Sequence, residues 1–182
     1  MLKIVAFLVL SLPLIYVSWR TLFSPDKHGL YRFITWELVL WIAVHNSHYL
    51  LVEEFNSRQV LSSLLMITSA LLVVWSFIVM RREGRVSPQR EDATLFGFEK
   101  TTTLVTSGVF GYIRHPMYTS LLCLLWGVLL RNVEMALLLV AVLGTLTCIT
   151  AALIEERENL EYFGEPYRQY MRSSKRFIPF LL

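Results

Sequence analysis

Charge, cysteine, glycine and proline are all scarce in this 182-residue chain. Charged residues make up 17% and hydrophobic residues 55%, with a mean hydropathy of +0.53, which excludes a soluble domain of ordinary composition. There are two cysteines, Cys123 and Cys148. They fall on opposite arms of one apolar hairpin at depths about 10 Å apart at 1.5 Å per residue, beyond disulfide reach, and so read as small apolar residues. The few breakers cluster as Gly84, Pro88, Gly97 and Gly108 in one stretch and Gly164 and Pro166 in another. There is no internal repeat, no low-complexity tract and no segment that reads as a separate soluble domain.

What remains is apolar and long enough for several membrane spans. A span needs roughly 20 apolar residues to cross about 30 Å of hydrocarbon. Segments 4–19, 33–52, 60–80 and 135–154 qualify readily. Met117 to Leu130 is short, and either re-enters or is extended to about 113–131 with local thinning of the bilayer. The expectation is an all-α membrane protein, a bundle of about five transmembrane helices in one unit over 1–182. Tyr16-Val17-Ser18-Trp19 offers bulky residues where a signal peptidase needs small ones, so the first segment is kept as a span. Pro13 within it is expected to kink the helix for packing.

Basic residues collect in cytoplasmic loops. With five spans, every Lys and Arg except Lys3, Arg58 and Arg131 falls on one side. This predicts an N-terminus outside, a C-terminus in the cytoplasm, and a multi-pass integral membrane protein. The net charge of +3 fits anionic lipid headgroups and needs no nucleic acid. Two excursions lie on the cytoplasmic side. One runs from Arg81 to Tyr112, long for a connection between packed helices. The other is the tail 155–182, helix-like through Met171 and apolar again at Ile178-Pro179-Phe180, able to fold back over the membrane surface.

Two polar clusters meet on that side. Arg114-His115-Pro116-Met117-Tyr118 opens the last apolar hairpin and Glu155-Glu156 closes it. Each feature has a plain structural reading, since proline favours the first helical turn and charged residues mark span ends. The combination says more. His115 and Tyr118, three apart, share a helix face and offer a ring nitrogen and a hydroxyl to one ligand. Gly108 permits close backbone approach just before them. Adjacent carboxylates repel, and a cation such as Arg114, Arg157 or a charged ligand relieves that repulsion.

The run from Thr102 through Tyr118, then Glu155-Glu156 with Leu160, Phe163-Gly164, Tyr167 and Tyr170, then Ile178-Pro179, resembles the isoprenylcysteine carboxyl methyltransferase and phospholipid methyltransferase superfamily over roughly the C-terminal half. The resemblance implies an integral membrane enzyme using S-adenosylmethionine, with the cytoplasmic loop and tail forming the cofactor site. It implies cofactor contacts from Gly108, Tyr112, His115, Pro116, Tyr118, Glu155 and Tyr167. Glu156 and Arg114 are the catalytic candidates, Glu156 as acceptor of the nucleophile's proton. Val109, Ser120 and Leu153-Ile154 depart from the common pattern and point to a separate branch. The methyl acceptor stays open among an isoprenylcysteine-like carboxylate, a lipid amine and a small thiol.

Glu37, Trp41, His45 and His48 recur at helical spacing on one face of the second span. A polar stripe in lipid marks a pathway or glues helices together, and Trp41, His45 and His48 are taken as candidate acceptor-side residues. No Cys or Asp joins the two histidines, and no metal site is expected. Two other readings stand beside the methyltransferase. Membrane sterol reductases carry a similar Arg-His-Pro-x-Tyr segment, which allows an NADPH-dependent reductase. A non-catalytic membrane interaction protein would use both clusters as boundary anchors.

Overall fold

A computed structural model describes residues 1–50, 56–84 and 101–179. Every regular element among them is helical: α1 (Leu2–Ser18), α2 (His28–His45), the short α3 (Ser47–Leu50), α4 (Ser57–Glu83), α5 (Pro116–Leu129), α6 (Met135–Phe163) and α7 (Glu165–Ser173), with a 3-10 turn at Gly108–Gly111. α4 and α6 are long and apolar enough to cross a membrane, and α1 and α5 are shorter apolar helices. Leu51 and Val52, half of the Arg81 to Tyr112 excursion (85–100), including Arg85, Arg90 and Lys100, and Phe180 lie outside the described residues.

α5 sits at the centre, packed on α4, α2 and α6; α2 also packs on α6 and carries α1 on its outer side. Lipid gives helices no hydrophobic reason to associate, so close fit must do it. α6 supplies that fit with a buried row of small residues, Ala141, Gly144, Cys148, Ala151 and Ala152, against which Ile42, Leu125 and Leu129 are almost fully enclosed. Leu8, Val9 and Leu12 of α1 face outward. Both cysteines are free, and α1 continues through Pro13.

Helix ends account for the departures from the expected spans. α2 starts at His28, five residues before Phe33, and stops at Asn46 because that side chain is needed elsewhere. The buried Asn46 amide donates to the carbonyls of Val128 at 2.9 Å, Asn132 at 3.0 Å and Leu129 at 3.4 Å. Ser62 donates to the Gly127 carbonyl at 2.6 Å and Gln59 Nε2 to that of Arg131 at 3.0 Å. α5 has 14 residues, about 21 Å at 1.5 Å per residue, and ends where lipid would leave its last carbonyls without donors. These three side chains supply them.

At the other end the chain runs past expectation. α6 continues for nine residues beyond Ile154, so Glu155 and Glu156 stand within a helix and not at its end. Nothing breaks it until Gly164, whose φ of +65° suits glycine and turns the chain into α7. α5 begins at Pro116, not near Ile113, since proline fits the first turn.

Candidate active site at the charged end of the bundle

Gly108 starts the approach to the site with φ +57°, and a Cβ there would lie 2.9 Å from Val79 Cγ2, so only glycine fits between the turn and α4. After the turn, the chain is laced to the returning tail. Lys175 N donates to the Tyr112 carbonyl at 3.0 Å, Arg114 N to that of Lys175 at 2.7 Å, and His115 N to that of Arg176 at 3.1 Å. Thr119 Oγ1 donates to the Phe177 carbonyl at 3.0 Å, and the buried Tyr170 hydroxyl to that of Phe110 at 2.6 Å. The tail thus fixes the backbone that presents Arg114 and His115.

Glu156 is buried and held on every side. Arg114 Nε donates to its Oε1 at 2.8 Å, and Arg176 donates through Nε to Oε1 at 3.1 Å and through Nη2 to Oε2 at 2.7 Å. His115 Nε2 lies 3.4 Å from Oε1, an ion-pair distance without hydrogen-bond alignment. Arg114 continues to the carbonyls of Met171 and Ser174. Burial alone would push the Glu156 carboxyl up, but His115, Arg176 and Arg114 together hold it far below the ordinary range. A carboxylate so stabilised is a poor proton acceptor. Through these contacts Glu156 ties Arg114, before α5, to Arg176 of the tail.

Glu155, one position on, faces differently. Its side chain is 28% exposed and its Oε1 lies 4.0 Å from His115 Nδ1. Burial pushes its pKa up, yet His28, His115, the Tyr118 hydroxyl and Arg32 outweigh this and bring it below the ordinary carboxylate value. The rings of His115 and Tyr118, both buried, lie 5.5 Å apart. Pro116 is buried beneath them, whereas Tyr112 is 58% exposed on the outer side of the turn. Tyr167 is buried, and burial, with Glu155 and Glu156 nearby, keeps its hydroxyl protonated well above the usual range.

Two cavities meet at Glu155, Arg114 and Phe110. The larger, about 420 Å³, lies between α2, α4 and α5 and is walled by apolar side chains including Met66, Val73, Leu121 and Leu124, with His115, Tyr118 and Glu155 at its polar end. The smaller, about 90 Å³, is bounded by Thr101, Glu155, Glu158, Asn159, Tyr167 and Tyr170. The larger falls in the usual range for small-molecule sites, roughly 300–1,000 Å³. His115 is buried at the larger cavity's wall, its Nε2 turned toward the Glu156 carboxylate. An ionised carboxylate, two basic side chains and apolar walls fit a ligand with a cationic amine, a carboxylate and an apolar body.

The stripe on α2 lies elsewhere. Glu37 accepts from Ser11 of α1 at 2.6 Å, Trp41 packs edge-on against Phe7, and Lys3 donates to the His45 carbonyl at 2.9 Å. His48 is exposed beside Tyr49. Trp41, His45 and His48 line neither of these two cavities, and Glu37, Trp41 and His45 meet α1. Arg32 and Trp36 are the α2 residues in the larger cavity, with the Arg32 guanidinium 5.8 Å from the Trp36 ring centre. Sequence reasoning passed over them, along with His28, Glu158 and Arg176. Their one readable signal was Arg32 and Trp36 four apart at a span end.

Long apolar helices around a chamber with charged groups at one end define a helical membrane protein with a ligand-sized site. The sequence profile described as phospholipid methyltransferase matches residues 57–165, and the chain belongs to that family. The chain is also 26% identical over 130 residues to the methanethiol S-methyltransferase of Pseudomonas deceptionensis, a match covering 71% of this chain and 49% of that protein. The chain spans about half the length of this curated relative. No solved structure matches it.

Proposed function

We propose that the chain transfers a methyl group from S-adenosylmethionine to a small or lipid-soluble acceptor, at the cytoplasmic end of a five-span bundle whose N-terminus lies outside. The observation that carries this reading is the junction of an apolar chamber with a small polar pocket at one ionised carboxylate, Glu155. When bound, S-adenosylmethionine supplies an electrophilic methyl on a sulfonium; the acceptor–carbon bond forms as the carbon–sulfonium bond breaks, leaving S-adenosylhomocysteine and releasing the acceptor's proton. Glu155 holds the ammonium group, with His115, Arg114 and Tyr118 around it and Tyr167 closing the polar pocket. Gly108, Tyr112 and Pro116 shape the turn that presents them. Alignment of two reactants in one chamber is worth about 7–11 kcal/mol of the barrier.

A thiol is the acceptor favoured here. The walls of the larger cavity away from Glu155 are mainly apolar, a lining that suits a small apolar thiol better than a charged lipid amine. Met66, Met80 and Met117 add soft, polarizable contacts suited to sulfur, and the named activity of the relative is of this type. Family membership does not favour the NADPH reductase or the non-catalytic anchor. The test is transfer of labelled methyl to a series of alkanethiols and to phosphatidylethanolamine in nanodiscs. Methylation of thiols supports the reading; methylation of the lipid amine alone refutes the choice of acceptor, and no transfer to any acceptor refutes the activity.

A further inference from the structure

His28, in the first turn of α2, is fully buried and joins α2 to α6. Its ring Nδ1 lies 2.6 Å from Glu158 Oε2, and its backbone N donates to Glu158 Oε1 at 3.2 Å. Its other nitrogen, Nε2, is buried and has no hydrogen-bond partner among the described residues. The two nitrogens therefore differ in kind. With hydrogen on Nδ1 the bond to Glu158 survives in both charge states, so losing the Nε2 proton changes the charge of the site without breaking the contact. The proton on Nε2 is the one that can leave.

Glu158, the partner of His28, and Glu155, one turn earlier, both border the small polar pocket. The charged groups facing His28 are these two carboxylates of α6 and Arg32 on its own helix; on the connection before it, Lys27 adjoins and Asp26 is exposed. We propose that His28 is a charge-compensating residue for this pocket, carrying its Nε2 proton while the pocket is empty and releasing it when a ligand ammonium settles beside Glu155 and Glu158. The inference rests on the donor reading above. The proton balance is simple: a positive ligand group enters, a proton leaves Nε2 to solvent, and the net charge around the carboxylates is unchanged. His28 acts through the carboxylates and so is a positioning residue. Burial opposes its protonation, but Glu158 and Glu155 outweigh it and raise its pKa above the ordinary histidine value.

The experiment is calorimetric binding of S-adenosylhomocysteine to the full chain in nanodiscs, repeated in phosphate and in Tris, buffers with different heats of ionisation. The expected result is a release of up to about one proton per molecule bound, with affinity increasing by up to about tenfold for each unit that pH is raised in the range below the pKa of His28. His28→Asn keeps a donor toward Glu158 and is expected to abolish both the release and the pH slope; Glu158→Gln is expected to do the same. Binding with no proton release, or release that persists in a folded His28→Asn protein, overturns this inference and leaves the donor reading intact. No binding by the folded wild-type protein overturns both. Even if neither variant folds, binding by the wild type with no proton release overturns the inference.

Discussion

At one end of the bundle Asn46 and Gln59 donate to the carbonyls that close α5, and Arg131 donates in turn to Gln59 at 3.0 Å and Ser63 at 2.8 Å. At the other end Arg114 and Arg176 converge on Glu156, while Glu155 and His115 face a cavity. Both ends bury polar side chains among apolar helices, and both are tied across the chain by residues far apart in sequence. The difference is what the polar atoms are left to do. The first cluster completes a short helix and borders no cavity described above. The second is divided between Glu156, which holds the backbone in place, and Glu155, which is supported by its neighbours and still reaches open space. Polarity in a membrane bundle is thus no guide to function by itself; what matters is whether a charged group opens on a cavity.

The sharpest way to break this contrast is to remove the internal anchor. Glu156→Ala leaves two guanidinium groups without their carboxylate, and loss of one partner of a buried pair costs about 3–5 kcal/mol. Thermal melting in nanodiscs is expected to show a large fall, with loss of S-adenosylhomocysteine binding. The adjacent Glu155→Gln is expected to behave differently, lowering ligand affinity by about ten- to a hundredfold, equivalent to about 1.5–3 kcal/mol for a charge-assisted bond, with the melting temperature nearly unchanged. At the far end, Asn46→Ala reverses that pattern. Its loss leaves buried carbonyls without a donor and is expected to cost about 1–3 kcal/mol of stability while ligand affinity in the folded fraction stays as in the wild type. The smallest effect is expected from His48→Ala, within about 0.5 kcal/mol in stability and with no change in binding or turnover.

Acidity sharpens the same comparison. The folded-state pKa of Glu156 is depressed, so its contribution to stability is fully present above the unfolded carboxylate value and is lost as pH falls toward and through the folded value. Melting curves from about pH 5 down to about pH 2 are expected to show acid destabilisation that Glu156→Gln reduces and Asn46→Ala leaves in place.

The helices were legible where sequence and physics coincide locally. Pro116 marks the first turn of α5, and the apolar run of α6 needs no tertiary information. The end of α6 was not legible, because composition turns from apolar to charged at Glu155 while helix propensity persists until Gly164. The meeting of Arg114, His115, Glu155 and Glu156 at one end followed from hairpin topology. Arg176 was invisible as a partner of Glu156, since that pair depends on the tail folding back beside Ile113. His28 and Glu158 are 130 positions apart, beyond any local pattern. The spacing of Glu37, Trp41 and His45 named a face of α2 but not its neighbour, which is α1, and α2 ends before His48.

The most direct measurement of the central claim is calorimetric binding of S-adenosylhomocysteine to the wild-type, Glu155→Gln and Asn46→Ala proteins side by side in nanodiscs. The account predicts micromolar binding by the wild type and by Asn46→Ala, and binding weakened at least about tenfold in Glu155→Gln. Equal binding by Glu155→Gln and the wild type, or no binding by a folded wild-type protein, would contradict it.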